Sequence, residues 1–216
     1  MTRPVIAVID YGMGNLHSVA KALEHVAPDQ TVVVSSNIDE IAAADRVVLP
    51  GVGAMRDCIK AMQDAGVADL VRDICYDRPF LGVCVGMQAL LEHSTENGGV
   101  KALGIFPGSV ERFASGMKDE QALPYKVPHM GWNQVRQVMD HPLWHGIDDE
   151  ARFYFVHSYF ARPEPADQVA GLCTYQQPFA AAIARDTIFA TQFHPEKSAD
   201  AGLQLYRNFA HWDGKR

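Results

Sequence analysis

Residues 80–88 read Phe-Leu-Gly-Val-Cys-Val-Gly-Met-Gln, a cysteine with a glycine two positions to either side. An apolar run enters this segment and a helix-forming run leaves it, so Cys84 is expected at a sharp strand-to-helix turn. There the helix dipole and unpaired backbone N–H groups favour thiolate over thiol. The flanking glycines remove Cβ atoms that would clash with neighbouring elements at so tight a bend. A second segment, Gln192-Phe193-His194-Pro195-Glu196, closes an apolar run with an imidazole and a carboxylate two residues apart. Pro195 restricts His194 to extended backbone, and on an extended chain His194 and Glu196 project to the same side. The carboxylate would then orient the imidazole and stabilise its protonated form, the third role in a Cys-His-acid triad. A third segment, Leu49-Pro50-Gly51-Val52-Gly53, is a glycine-rich turn after another apolar run. Its backbone N–H groups suit an anion. Beside a nucleophilic cysteine, the Val52 and Val85 amides would form an oxyanion hole. Each segment alone also has a plain reading: a buried structural cysteine, an ordinary loop, and a simple turn ahead of a helix.

Three such segments act together only if strands deliver them to one edge of a sheet. Apolar runs place strands at 5–9, 31–34, 46–49 and 80–83, with helical periodicity at about 16–25, 55–73 and 85–93. The later half has more strand character, at 110–113, 133–136, 152–156, 180–184 and 188–193, before a helix at about 201–210. The strand–turn–helix rhythm predicts an α/β chain with parallel strands and helices on both faces. The runs at 180–184 and 188–193, joined by Arg185-Asp186-Thr187, predict an antiparallel hairpin at one sheet edge. The expected architecture is a single three-layer α/β/α domain over residues 1–216 with a mixed, mostly parallel sheet.

Composition narrows the partners. The 216 residues are 48% hydrophobic and 21% charged, enough to form a core without disulfides or metal. With 19 basic against 26 acidic side chains, a net charge of -7 and no Lys/Arg run, a nucleic-acid partner is not expected. The apolar run 5–9 is too short for an export signal or a membrane span. The four cysteines form no Cys-x-x-Cys pair and match no zinc spacing. Reduced thiols in the cytoplasm are the expectation, with no metal. Gly12-Met13-Gly14 lacks a third glycine at the dinucleotide spacing, where His17 stands, so no nucleotide cofactor is expected either.

The ordered set Pro50-Gly51-Val52-Gly53, Gly82-Val83-Cys84-Val85-Gly86-Met87-Gln88 and Phe193-His194-Pro195-Glu196-Lys197-Ser198 resembles the class I, triad-type glutamine amidotransferases, a flavodoxin-like family. Asp10–Asn15, Pro128–Asn133 and Phe153–Tyr159 narrow the likeness to the glutaminase subunits that serve histidine biosynthesis, and it spans nearly the whole chain. The resemblance implies Cys84 as nucleophile, His194 as acid and base, Glu196 as its orienter, and the Val52 and Val85 amides as oxyanion donors. It implies that Gly53, Gln88, Glu96, Ser158 and Tyr159 hold glutamine. It also puts Asn15, Trp132, Tyr154 and Lys197 at the interface with a cyclase subunit of (β/α)8-barrel type, in a heterodimer that receives the ammonia. Val85 stands where relatives often carry leucine, which leaves a backbone N–H role intact.

On residue type alone, several of these positions have other uses. Gln88 lies one helical turn after Cys84 on the same face, suited to substrate or to bare surface. Glu96 suits a solvated loop, Asn15 a helix cap, and Lys197 a surface position. Trp132 and Tyr154 suit a core, and His129 and His157 suit hydrogen-bonded structural roles. The rival functions are a glutaminase subunit of another class I amidotransferase, a cysteine hydrolase or peptidase with the same elbow, and a non-catalytic binding module. The peptidase and the binding module leave Pro128–Asn133 and Tyr154–Tyr159 unexplained.

Overall fold

The computed structural model describes residues 3–118 and 121–215. Its first half runs β1 (Val5–Ile9), α1 (Leu16–Val26), β2 (Thr31–Ser35), α2 (Ile38–Ala43), β3 (Arg46–Leu49), α3 (Met55–Asp64), α4 (Val67–Ile74), β4 (Phe80–Val83) and α5 (Val85–Ala89). The second half adds β5 (His93–Ser94), β6 (Val100–Lys101), β7 (Gly108–Arg112), β8 (His129–Gln134), β9 (Arg136–Gln137), β10 (Arg152–His157) and β11 (Tyr159–Pro163). It closes with β12 (Val169–Tyr175), β13 (Gln177–Arg185), β14 (Ile188–Thr191) and α6 (Ala199–His211).

Strands β1, β3 and β4 are buried along nearly their whole length, as strands covered on both faces must be. They lie in the order β2-β1-β3-β4-β14, every pair parallel. From β14 the sheet continues antiparallel through β13, β11 and β7, then reaches β5 and β6, with β12 and β9 branching from β13. This is the mixed α/β sheet that the strand rhythm predicts. Helix α1 packs with α6, and α2, α3, α4 and α5 form a second group. Strands β8 and β10 pair apart from the main sheet, His129 opposite His157 and Trp132 opposite Tyr154. Among the described residues, no helix is long and apolar enough to cross a membrane.

Several elements differ from expectation, among them the strand expected over 188–193, which ends at Thr191. The helix predicted over 55–73 is two helices, because Gly66 takes φ 71, a left-handed conformation that ends α3 and starts α4. The helix predicted to run to about residue 93 ends at Ala89. The Ala89 and Leu90 carbonyls accept the amides of Leu103, Ile105 and Phe106, at 2.8–2.9 Å, in place of further helical bonds. The β13–β14 hairpin forms at Arg185-Asp186-Thr187, but it sits inside the sheet, with β14 between β4 and β13. Its residues 179–184 are all buried, which an edge strand would not require.

The register does the positioning. Leu49 pairs with Gly82, and Val83 with Thr191, so the C-terminal ends of β3, β4 and β14 lie side by side. Ligand sites in open α/β sheets form beyond that edge.

Candidate active site

Cys84 caps α5 with φ 55 and ψ -109, a costly conformation for a residue with a side chain. Its surroundings leave no alternative. The Cys84 N–H donates to the Thr191 carbonyl at 2.7 Å, and its own carbonyl accepts the Gln88 N–H at 3.1 Å. A Cβ on Gly86 would stand 2.0 Å from the Leu49 carbonyl oxygen, and one on Gly82 3.1 Å from the Ala190 Cβ. The flanking glycines therefore admit β3 and β14 to van der Waals contact with the elbow. The thiol lines a cavity of about 360 Å³ shared with Val52, Gly53, Val85, Gln88, Glu96, Ser158, Tyr159, His194 and Lys197.

His194 follows β14 with extended backbone, φ -99 and ψ 100. Its N–H donates to the Tyr154 carbonyl at 3.0 Å. The Ser198 hydroxyl donates to the His194 carbonyl at 2.6 Å and accepts the Tyr154 N–H at 3.0 Å. His194 Nδ1 lies 2.9 Å from Glu196 Oε1, with both side chains almost fully buried. The contact spans a short 3-10 turn, Pro195–Lys197, and not the extended chain that the two-residue spacing suggests. Glu196 also accepts from Asn15 Nδ2 and from the Tyr206 hydroxyl, each at 3.3 Å. Burial by itself would raise the Glu196 carboxyl. The His194 hydrogen bond and charge outweigh it, with help from Asn15, and hold the group below its usual range. Burial likewise opposes charge on His194, yet Cys84 and Glu196 together raise the imidazole above its ordinary value. His194 Nε2 is buried with no hydrogen-bond partner among the described residues. It is the nitrogen left for proton transfer.

The expected oxyanion pair is present in sequence but not assembled. The Val85 N–H donates to the Gly51 carbonyl at 3.3 Å. In a trans peptide the N–H points opposite to the carbonyl, so the Val52 N–H faces away from the elbow. The physical reason is that Val85 opens a helix, where its N–H lacks an intrahelical acceptor and takes the nearest carbonyl.

Gln88 is buried, which excludes the bare-surface alternative. Its Nε2 donates to the Tyr159 carbonyl at 2.8 Å and to Gln192 Oε1 at 2.9 Å, so its carbonyl oxygen is what remains for a ligand. Glu96 Oε2 accepts the Met55 N–H at 2.7 Å, tying the carboxylate to the start of α3. Two oxygen acceptors thus share the cavity with Cys84, a fit for an ammonium group. Asn15 makes no side-chain cap on α1, because its amide turns to Glu196. Trp132 is 47% exposed and meets Tyr154 edge-on at 6.1 Å, and Lys197 Nζ lies 6.0 Å from the Tyr154 ring centre. Of these three Lys197 lines the cavity, and Trp132 is no core aromatic.

Sequence reasoning missed Gln192, Ser198 and Tyr206. Gln192 had a signal, since two residues before His194 on an apolar run it faces the same way. Tyr206 had none, being ten residues beyond Glu196 on a separate helix. His129 and His157 do take the structural role. Their rings pair at 2.9 Å, and burial pushes them down to about 4 and about 3.

The glutamine amidotransferase class-I family profile matches residues 7–212. An imidazole glycerol phosphate synthase subunit HisH from Pseudomonas putida is 59% identical, covering 97% of this chain and 98% of its own. The HisH subunit from Acinetobacter baylyi is 56% identical, covering 99% of this chain and all of its own (100%). Among solved structures, PurLQS from Thermotoga maritima superposes with a TM-score of 0.72 at 15% identity, over 96% of this chain and 98% of that one. A glutamine amidotransferase from the same organism gives 0.61 at 16% identity, over 93% and 80%. At those identities the two structures speak for the fold. The whole-length match and the HisH relatives speak for the family: the chain belongs to the class-I glutamine amidotransferases, among the imidazole glycerol phosphate synthase HisH subunits.

Proposed function

We propose that the chain is the glutaminase subunit of an imidazole glycerol phosphate synthase in histidine biosynthesis. The observation that carries the reading is the Cys84, His194 and Glu196 arrangement at the C-terminal sheet edge, over a cavity whose Gln88 and Glu96 oxygens suit the ammonium of an amino acid. In this reading the Cys84 thiolate attacks the side-chain carboxamide carbon of glutamine. His194, held charged by Glu196, gives its proton to the departing ammonia and leaves a γ-glutamyl thioester. Neutral His194 then takes a proton from water, which attacks the thioester and releases glutamate and the Cys84 thiolate. The Val85 N–H and, after rotation of the Gly51–Val52 peptide, the Val52 N–H receive the developing negative oxygen. Gly53, Gln88, Glu96, Ser158 and Tyr159 hold the amino-acid end.

Ammonia must leave without meeting bulk water, where it is protonated. The partner is proposed to be a (β/α)8-barrel cyclase subunit, docked as a heterodimer over Asn15, Trp132, Tyr154 and Lys197. It would use the ammonia to make imidazole glycerol phosphate and an aminoimidazole carboxamide ribotide. The chain is read as one amidotransferase domain over 1–216, working in the cytoplasm without a cofactor. The test is glutamate release from glutamine by the chain, alone and with the candidate cyclase. A chain that releases no glutamate in either state sinks the reading.

A further inference from the structure

Gln192 directly follows β14 and is fully buried, with its backbone N–H donating to the Ala181 carbonyl at 2.8 Å. Its side chain spends both ends of its amide on the active site. Nε2 lies 3.7 Å from the Cys84 sulfur, and Oε1 accepts Gln88 Nε2 at 2.9 Å. A side-chain amide carries a donor at one end and an acceptor at the other, so its partners fix its orientation. Here a carbonyl decides. Gln88 faces the Tyr159 backbone oxygen at 2.8 Å, which only accepts, so the Gln88 atom there is its nitrogen. That same nitrogen meets Gln192, so Gln192 presents oxygen to Gln88 and only its NH2 to the sulfur.

The far side of the chain converges on the same carbonyl. Tyr159 O also accepts from His157 Nδ1 at 2.8 Å, which places the ring hydrogen there. Neutral His157 then accepts at Nε2 from His129 Nδ1 at 2.9 Å, and His129 Nε2 accepts from Asn133 Nδ2 at 3.3 Å. The Tyr159 carbonyl takes both donors and offers no hydrogen, so a flipped Gln88 would set oxygen against oxygen there. A buried polar network that is fully satisfied holds one geometry.

We propose that Gln192 is a further catalytic residue, one that donates a hydrogen bond to the Cys84 sulfur while its carbonyl oxygen locks the Gln88 amide. The donor stabilises sulfur as an anion twice in the cycle, before attack and again when the thioester breaks. The lock leaves Gln88 only its oxygen to offer, which selects a ligand that brings donors. The second half rests on the glutaminase reading, while the sulfur contact does not.

The experiment compares Gln192→Met and Gln192→Glu with the natural chain. Cys84 alkylation by iodoacetamide is followed by peptide mapping across pH, and glutamine turnover is measured with the cyclase bound. Met keeps the length but has no N–H or carbonyl, so alkylation near neutral pH should slow about tenfold, the worth of one hydrogen bond to a charged group. KM for glutamine should rise as Gln88 loosens. Glu keeps one donor while protonated and loses it on ionising, so its alkylation rate should fall with rising pH where the natural chain's rises. His194, Tyr11 and Cys58 are the ionisable groups facing the sulfur in all three proteins, so the difference between profiles is the readout. Alkylation within twofold of the natural chain in the Met variant, or a Glu profile parallel to the natural one, would overturn the proposal. Should the Met variant fold poorly by thermal melting, the Glu profile decides. Alkylation needs no glutamine, so a failed glutaminase reading would leave the sulfur effect visible.

Discussion

Among four free thiols, backbone geometry singles out Cys84. Burial pushes Cys58 up to about 11, and Cys75 and Cys173 up to about 12, so at pH 8 these three are neutral and packed away. Cys84 instead faces the cavity beside His194. A diazo-ketone analogue of glutamine should therefore label Cys84 first, read by peptide mapping. Faster labelling at Cys58 or Cys173 would refute the assignment. A companion expectation follows from the division of labour proposed for the complex. Cys84→Ala should abolish glutamine hydrolysis yet leave synthesis from ammonium salts intact, since the acceptor chemistry lies in the partner. Loss of both activities in an assembled complex would count against that division. The residues whose local spacing implies chemistry, Cys84, His194 and Glu196, were legible in the sequence alone. Tyr206 and Asn15 were not legible as supports of Glu196, because what joins them to it is tertiary contact across the α1–α6 pair.

The elements carry the strain that holds these residues in place. Gly86→Ala would drive a methyl into the Leu49 backbone oxygen, 2.0 Å away, and backbone cannot swing aside as a side chain can. The elbow and β3 must separate, at a cost of about 1–3 kcal/mol or more. Urea midpoint and glutaminase rate should fall together, and a variant that kept both would mean that the elbow tolerates a wider turn. The β8–β10 pair makes a different prediction. His129 and His157 are held neutral by burial, about 4 and about 3 against an ordinary 6.5. Below pH 6.5 the unfolded chain takes up protons that the folded chain refuses, so stability falls as pH drops from 6.5 toward 4. The slope is about 1.4 kcal/mol per pH unit for each group. His194, raised in the fold, is charged in both states there and adds no slope. Urea midpoints for His129→Gln should show a clearly shallower acid limb, and an unchanged limb would show that the ring titrates normally. Strand periodicity foretold the parallel centre. It passed over the break at Gly66, because apolar spacing continues across it, and over α2, which is only six residues long. Nor could periodicity place the β13–β14 hairpin within the sheet, since strand order depends on pairing between distant residues.

Across the whole molecule, the exposed Met130 and Trp132 of β8 lie on the strand paired with β10, whose Val156 and His157 line the cavity beside Cys84 and His194. A partner bound there would touch Trp132, Tyr154 and Lys197 and reach Glu196 through Asn15. What such contact has to change is one peptide. With the Val85 N–H given to the Gly51 carbonyl, neither expected oxyanion donor is free, although the triad is otherwise in place. Turning the Gly51–Val52 peptide releases Val85 and brings the Val52 N–H inward. Gly51 must stay bare for this, since a Cβ there would stand 2.7 Å from the Gly86 nitrogen and 2.8 Å from the Tyr11 hydroxyl. Gly53, at φ 94, supplies the freedom on the other side. Loss of one oxyanion donor costs about 10²–10³ in turnover. The chain alone should thus be a poor glutaminase, quicker with the cyclase bound and quickest when the cyclase also holds its nucleotide substrate. That ordering keeps ammonia from being made where nothing can use it. Glutaminase kcat measured in the three states tests it: a rise of about a hundredfold or more from the first to the last is expected. Equal rates would leave Pro50–Gly53 an ordinary turn and the Val85–Gly51 bond compatible with full activity.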